Sequence, residues 1–139
     1  YELGLPHGPE DRIGMLYWRK HRCARIVFSL NFHLGTWTGP QCVDYLVQKV
    51  GHERAAAEGE VRRSVSGGYS PLYQCAYMLG GLQLRALHQE IVGSGAMTEK
   101  QFHDAVLQQN AIPIALVRAA LGKTEPDDRS VNDWRFADR

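Results

Sequence analysis

Helix start and stop signals recur along this chain, and they constrain the fold more than any other feature. Between them, apolar residues repeat at three- and four-residue steps, which is the spacing of one helical face. The breaks fall at Gly35, Gly51, Gly67-Gly68 and Gly93-Ser94-Gly95. Neither an internal repeat nor a strand-like alternation of useful length is present. The sequence therefore predicts an all-α fold of about six helices.

The first predicted helix is long and amphipathic, covering residues 9–34. Pro9 suits the first turn of a helix, where its missing N–H costs nothing, and the two carboxylates that follow complement the positive end of the helix dipole. We expect arginines on one face to stay in water and an apolar stripe on the other to pack inward. That stripe comprises Ile13, Leu16, Tyr17, Ala24, Val27 and Phe28.

Five shorter helices are predicted to follow. Capping boxes at Thr38 to Gln41 and Thr98 to Gln101 mark two of their starts. The predicted ranges are 39–50, 53–65, 71–92, 99–109 and 113–122. We expect the fourth helix to be the most buried, and the Gly80-Gly81 pair in its middle predicts that another backbone crosses it closely.

Chain length and periodicity set the expected domain organisation. At 139 residues, the chain suits one compact domain with one core. Residues 1–123 are predicted to form that helical domain. Beyond residue 123 the periodicity vanishes, so residues 124–139 are predicted to be a mobile tail unless Trp134 and Phe136 dock.

Charge and hydropathy exclude several classes of partner. Sixteen Lys and Arg residues balance fifteen Asp and Glu residues, and basic residues are dense only within residues 19–25. This pattern lacks the basic surface expected of a nucleic-acid binder. No stretch approaches the roughly 20 apolar residues of a membrane span. The chain opens at Tyr1 without a signal-like segment, so its compartment stays open and we expect it to be a piece of something longer.

Cysteine spacing does not predict a disulfide framework or a thiolate metal site. Cys23, Cys42 and Cys75 are far apart, odd in number and set among apolar neighbours. We expect all three to be buried free thiols.

The six histidines do not form a recognisable zinc motif, because no His-Glu-x-x-His segment occurs. We expect exposed or helix-capping roles for His7, His21, His52 and His88, and a surface position for His103. His33 differs because it ends a long apolar helix beside a glycine turn, where it can complement the helix dipole or serve a part-buried polar site.

Three tyrosines stand four residues apart around the predicted start of the fourth helix. Tyr73 and Tyr77 share one helix face, and Tyr69 lies just before it. Each could simply pack with its hydroxyl at the surface. Alternatively, hydrogen-bond donors aimed at one point are what an oxyanion-stabilising site requires.

Several separate motifs resemble the C-terminal part of a bacterial family catalogued as a domain of unknown function. The resemblance covers roughly residues 1–121. The motifs are Arg25, His33-Leu34-Gly35-Thr36-Trp37-Thr38, Asp44-Tyr45-Leu46, the segment from Ser70-Pro71-Leu72-Tyr73 to Gly80-Gly81-Leu82, Phe102-His103-Asp104-Ala105-Val106-Leu107, and Pro113. Members are commonly described as zinc metallopeptidases, some of them lipoproteins. The segment from Gly68 to Tyr73 is also similar to carboxypeptidase Taq, a helical zinc carboxypeptidase.

The resemblance implies a helical, gluzincin-like peptidase in which zinc-bound water attacks a peptide carbonyl. In the family, the zinc ligands precede the position that matches Tyr1. We therefore expect zinc in the full-length protein and no metal held by this chain, which we interpret as a C-terminal fragment, inactive alone, that faces a peptide substrate.

The resemblance also implies roles for individual residues. His33 and Tyr77 match common positions of the family and are candidate donors to the substrate carbonyl or its oxyanion. Tyr73 and Tyr69 follow from the shorter similarity to carboxypeptidase Taq; we place Tyr73 with the catalytic donors and Tyr69 with substrate binding.

Arg25 could bind a peptide carboxylate, or it could be a surface cation paired with an acid. The family often has an acid where this chain has Ser29, so any partner of Arg25 must come from elsewhere.

A helical interaction module without catalysis is the alternative function. A half domain would expose apolar surface that its missing helices cover, so we also expect self-association through that face.

Overall fold

A computed structural model of the chain describes residues 4–122 and residues 134, 136 and 137. Of these residues, 71% are helical and none lies in a strand. The prediction of an all-α fold with six helices is confirmed for this part of the chain. The helices are α1 (Pro9–His33), α2 (Gly39–Tyr45), α3 (Arg54–Val65), α4 (Ala76–Ile91), α5 (Glu99–Gln108) and α6 (Ile114–Gly122). A π-helical turn, Leu46–Val50, continues α2, and a 3₁₀ turn, Tyr73–Cys75, precedes α4.

The chain divides into two compact units, Tyr1–Met78 and Leu79–Arg139. Chain length favoured a single core, whereas the structure contains two clusters of buried apolar residues, one in each unit.

In the first unit, the core forms between α1, α2 with its π-helical turn, and α3. The buried residues are Ala24, Phe28, Cys42, Val43, Leu46, Val50, Ala57 and Val61. The predicted capping box starts α2: the Thr38 hydroxyl accepts from the Gln41 backbone N–H, and the Gln41 side chain accepts from the Thr38 N–H at 2.8 Å. Gly51 ends the π-helical turn with φ +89°, a conformation that favours glycine.

In the second unit, α4, α5 and α6 bury Leu87, Ile91, Phe102 and Val117. The capping box at Thr98 starts α5 as predicted. Trp134 packs against this core. The remainder of the predicted mobile segment, apart from residues 136 and 137, lies outside the described residues.

The N-terminal half of α1 is not buried as predicted. Ile13 and Leu16 are 67% and 54% exposed, and all buried residues of α1 lie between positions 21 and 29. The other elements of the first unit cover only the second half of this helix. Periodicity therefore located the apolar stripe but could not show which part of it other helices would bury.

Helix α4 differs from the prediction in its start and its burial. Leu72 takes a left-handed conformation (φ +63°), which breaks the expected helix and delays its start to Ala76. Only Leu87 and Ile91 of α4 are buried, so the prediction that it is the most buried helix is wrong. A Cβ added at Gly80 or Gly81 would meet no described atom within 4 Å, so the predicted close crossing is not found there.

Two of the three cysteines behave as predicted. Cys42 and Cys75 are buried free thiols, whereas Cys23 is exposed because it lies on the uncovered side of α1. Within the described residues, no helix has the length and apolar content needed to cross a membrane.

Candidate functional site

The three tyrosines and Arg25 lie together in the first unit. The rings of Tyr69 and Tyr73 are stacked, with centroids 4.5 Å apart, and the hydroxyls of Tyr73 and Tyr77 are 2.9 Å apart. The Arg25 guanidinium lies 5.7 Å from the centre of the Tyr77 ring, within cation–π distance. Four of the five predicted site residues therefore form one group, which we call the tyrosine cluster: Arg25, Tyr69, Tyr73 and Tyr77.

The chain positions these rings through the turn before α4. Left-handed Leu72 and the 3₁₀ turn place Tyr73 just ahead of the helix, and Tyr77 follows four residues later on the same side. This four-residue spacing brings the hydroxyls of Tyr73 and Tyr77 into hydrogen-bond contact. All three tyrosines are exposed, so a ligand in solution can reach them.

His33 does not join the tyrosine cluster. It is exposed at the end of α1, and its Nδ1 lies 2.7 Å from the Ser29 carbonyl oxygen. Because that oxygen only accepts, Nδ1 carries the proton. Among the described residues, His33 makes no contact with the three tyrosines. Its position therefore matches the simpler expectation of a histidine that ends a helix and complements its dipole.

Glu60 on α3 is the acid that the sequence could not assign to Arg25. Arg25 Nε donates to Glu60 Oε1 at 2.6 Å, and Arg63 Nη2 donates to Oε2 at 2.8 Å. The Arg25 and Glu60 side chains are only 13% and 11% exposed, which makes this more than a loose surface pair. Two guanidiniums share one carboxylate, so this group retains one excess positive charge beside the tyrosines.

A chain of hydrogen-bonding groups reaches Glu60 from the other side. The Tyr17 hydroxyl lies 2.8 Å from His52 Nδ1, and His52 Nε2 lies 2.7 Å from His21 Nδ1. His21 Nε2 is 3.9 Å from Glu60 Oε1. We call Tyr17, His52 and His21 the histidine chain. His21 is only 3% exposed and His52 is half-buried, so the prediction of exposed or capping roles is wrong for His21.

Burial keeps both rings of the histidine chain neutral. Burial, followed by the positive charge of Arg25, lowers the pKa of His21 to about 4, although Glu60 opposes this shift. Burial also lowers the pKa of His52. Each neutral ring has one N–H, and Glu60 can only accept. The consistent arrangement therefore has Tyr17 donating to His52, His52 donating to His21, and the His21 Nε2–H facing Glu60.

Sequence reasoning missed the histidine chain, although one sequence pattern could have located part of it. Tyr17, His21 and Arg25 recur every four residues and so share one face of α1. His52 and Glu60 come from the turn after Gly51 and from α3, and only tertiary packing brings them to that face.

The tyrosine cluster offers hydrogen-bond donors next to a cation. The hydrogen bond with Tyr77 raises the pKa of Tyr73, so the Tyr73 phenol stays protonated at neutral pH. Two hydroxyl protons are available and the mutual bond uses one, which leaves one to donate outward. Such a donor beside excess positive charge suits a carbonyl oxygen that gains negative charge.

The histidine chain does not fit a zinc site. His52 Nδ1 and Nε2 and His21 Nδ1 are all engaged in hydrogen bonds within the histidine chain. In the part of the chain that the structure describes, the one group of three potential ligands with its atoms within 4.8 Å of one another is His88, Glu99 and His103, in the second unit.

A match to a known family covers most of the chain. Residues 1–121 match the family described as bacterial protein of unknown function, DUF885. The chain belongs to this family. The match confirms the resemblance at the level of a bacterial domain of unknown function, over the range where the motifs lie. Searches of curated proteins and of solved structures found no match.

Proposed function

We propose that the first unit supplies the substrate-binding and oxyanion-stabilising residues of a zinc-dependent peptidase. The observation that carries this proposal is the paired hydroxyls of Tyr73 and Tyr77 next to Arg25. Support also comes from the motif resemblance, which implies peptide hydrolysis. The substrate class is a peptide, because its carbonyl oxygen and its carboxylate are the two groups that phenol donors and a positive charge bind.

Each residue of the tyrosine cluster has a distinct role in this proposal. Tyr73 and Tyr77 together supply one donor to the carbonyl oxygen as it becomes an oxyanion, because their mutual hydrogen bond uses the other hydroxyl proton. Tyr69 stacks on Tyr73 and binds the substrate beside it. Arg25, held by Glu60, contributes charge and is fixed in place for a peptide carboxylate.

We assign these residues to the substrate and not to the metal, because zinc is usually held by Cys, His, Asp or Glu side chains and the tyrosine cluster contains none of these. His33 lies outside the tyrosine cluster, so we give the donor role to the tyrosines. The histidine chain braces Glu60 and, through it, Arg25.

The test is peptide hydrolysis by the full-length protein that contains this chain, followed by mass spectrometry of a defined peptide mixture. Tyr77→Phe removes one hydroxyl and keeps the ring, and we expect kcat/KM to fall about 10²-fold because a transition-state donor is lost. Tyr45→Phe is the matched control. Tyr45 packs against Trp37 in the same unit, and its hydroxyl has no hydrogen-bond partner among the described residues. Equal activity of Tyr77→Phe and wild type would remove Tyr77 from the site.

The alternative function, an interaction module, is favoured by the uncovered half of α1. An open groove of about 450 Å³ is lined there by Met15, Leu16, Trp18, Arg19, Arg22 and Met78. We infer that a second copy of the chain covers it. In an antiparallel pair of α1 helices, the acidic first turn of one copy, Glu10 and Asp11, would face the arginines of the other.

Sedimentation analysis tests this self-association. We expect wild type to dimerise and Leu16→Glu to be monomeric, because the substitution puts a charge into an apolar contact. Leu107→Glu is the control, since Leu107 is 77% exposed on α5. A monomeric wild type would refute self-association and leave the peptidase proposal untouched.

A further inference from the structure

We propose that His88, Glu99 and His103 form a binding site for a divalent transition metal ion, with Zn²⁺ as the best-matched probe, and that the ion links α4 to α5. This proposal concerns the second unit alone and does not depend on the proposed peptidase function.

The distances from Glu99 to the two histidines are close to the ligand spacing of a zinc site. His88 Nε2 lies 2.8 Å from Glu99 Oε2, and His103 Nε2 lies 3.5 Å from the same oxygen. In a tetrahedral site with zinc–ligand bonds of about 2.0–2.1 Å, neighbouring ligands stand about 3.3 Å apart. The two observed distances bracket that value, and all three ligand atoms lie within 4.8 Å of one another.

The helices present these three side chains in fixed positions. Glu99 is the first residue of α5, where the Thr98 capping box fixes the chain, and His103 follows one helical turn later on the same face. His88 comes from the last turn of α4. Buried Phe102 contacts both imidazoles, with ring centroids 5.2 Å and 5.6 Å away, and limits their rotation.

The chemistry of the ligands selects the class of ion. Two imidazole nitrogens with one carboxylate suit zinc and its first-row neighbours, whereas Mg²⁺ and Ca²⁺ prefer oxygen ligands alone. Glu99 and His103 are exposed and His88 is half-buried, so the ion can enter from solvent and keep water at its fourth position. Without metal, His88 Nε2 and Glu99 Oε2 form a hydrogen bond, which the ion must replace.

The test is calorimetric titration of the complete chain with ZnCl₂. We expect one equivalent to bind to wild type, and His103→Ala and Glu99→Gln each to weaken binding by at least about tenfold, the lower range seen when even a supporting residue is lost. His7→Ala, another exposed histidine, is the control and should bind as wild type does. MgCl₂ should produce no comparable binding.

Two further measurements keep the test decisive if a variant does not fold correctly. Zn²⁺ should raise the melting temperature of wild type and not that of His103→Ala, because only a bound ligand shifts the folding equilibrium. Long-range ¹H–¹⁵N NMR should show Zn²⁺ shifting the Nε2 resonances of His88 and His103. Unchanged Nε2 resonances, or equal Zn²⁺ affinity of wild type, His103→Ala and Glu99→Gln, would overturn the site.

Discussion

The protonation state of the buried His21 ring depends on its burial and on the charged groups around it. Its ring lies against Trp18 and His52 and faces the carboxylate of Glu60, while Arg22 and Arg25 act on it from its own helix. Burial outweighs the attraction of Glu60, so the neutral ring is the stable form in the folded protein.

The depressed pKa of His21 predicts acid sensitivity. The unfolded ring titrates near 6.5 and the folded ring near 4, so between these pH values the unfolded state binds a proton that the folded state does not. The free energy of unfolding should therefore fall as pH falls from about 6.5 to 4, by up to about 3 kcal/mol. Urea denaturation across this range measures it.

His33→Ala serves as the control for this prediction, because His33 lies at an exposed helix end and the slope should persist without it. His21→Leu should flatten the profile. NMR titration of His21 itself provides an independent readout, and a pKa near 6.5 in the folded chain would contradict the explanation.

At the scale of secondary structure, the helix starts show which elements a sequence specifies locally. The capping boxes at Thr38 and Thr98 lie where they were predicted, because hydroxyl, amide and backbone meet within four residues. The predicted start of α4 was wrong because the left-handed conformation of Leu72 delays the helix, and leucine rarely takes that conformation. Nothing local to Ser70-Pro71 indicates it.

Removing a cap should destabilise the first unit measurably. Thr38→Ala loses the hydroxyl that accepts from the Gln41 N–H, and we expect a cost of about 1 kcal/mol in the free energy of unfolding. Thr38→Ser keeps the hydroxyl and is the matched control. If both variants lost the same stability by urea denaturation, the cap would not be the cause.

Over the whole molecule, local sequence patterns predicted the helices better than they predicted which helices pack together. Periodicity identified the apolar face of α1, yet Ile13 and Leu16 are exposed because no described element of the first unit covers them. The grouping of Tyr69, Tyr73 and Tyr77 was predictable because their four-residue spacing is a property of one segment, whereas Arg25 reaches them from α1 through tertiary packing. Glu60 and His52 were not, since α3 and the turn before it reach the site only after the unit folds.

We propose that the tyrosine cluster binds peptides, and an NMR titration of the isotopically labelled chain with trialanine tests this binding most directly. We expect shifts at the Arg25 Nε–H and at the rings of Tyr69, Tyr73 and Tyr77, with Tyr45 unaffected. Amidated trialanine should shift Arg25 less, because it lacks the carboxylate. Shifts confined to other residues, or no shifts at saturating peptide, would contradict the claim.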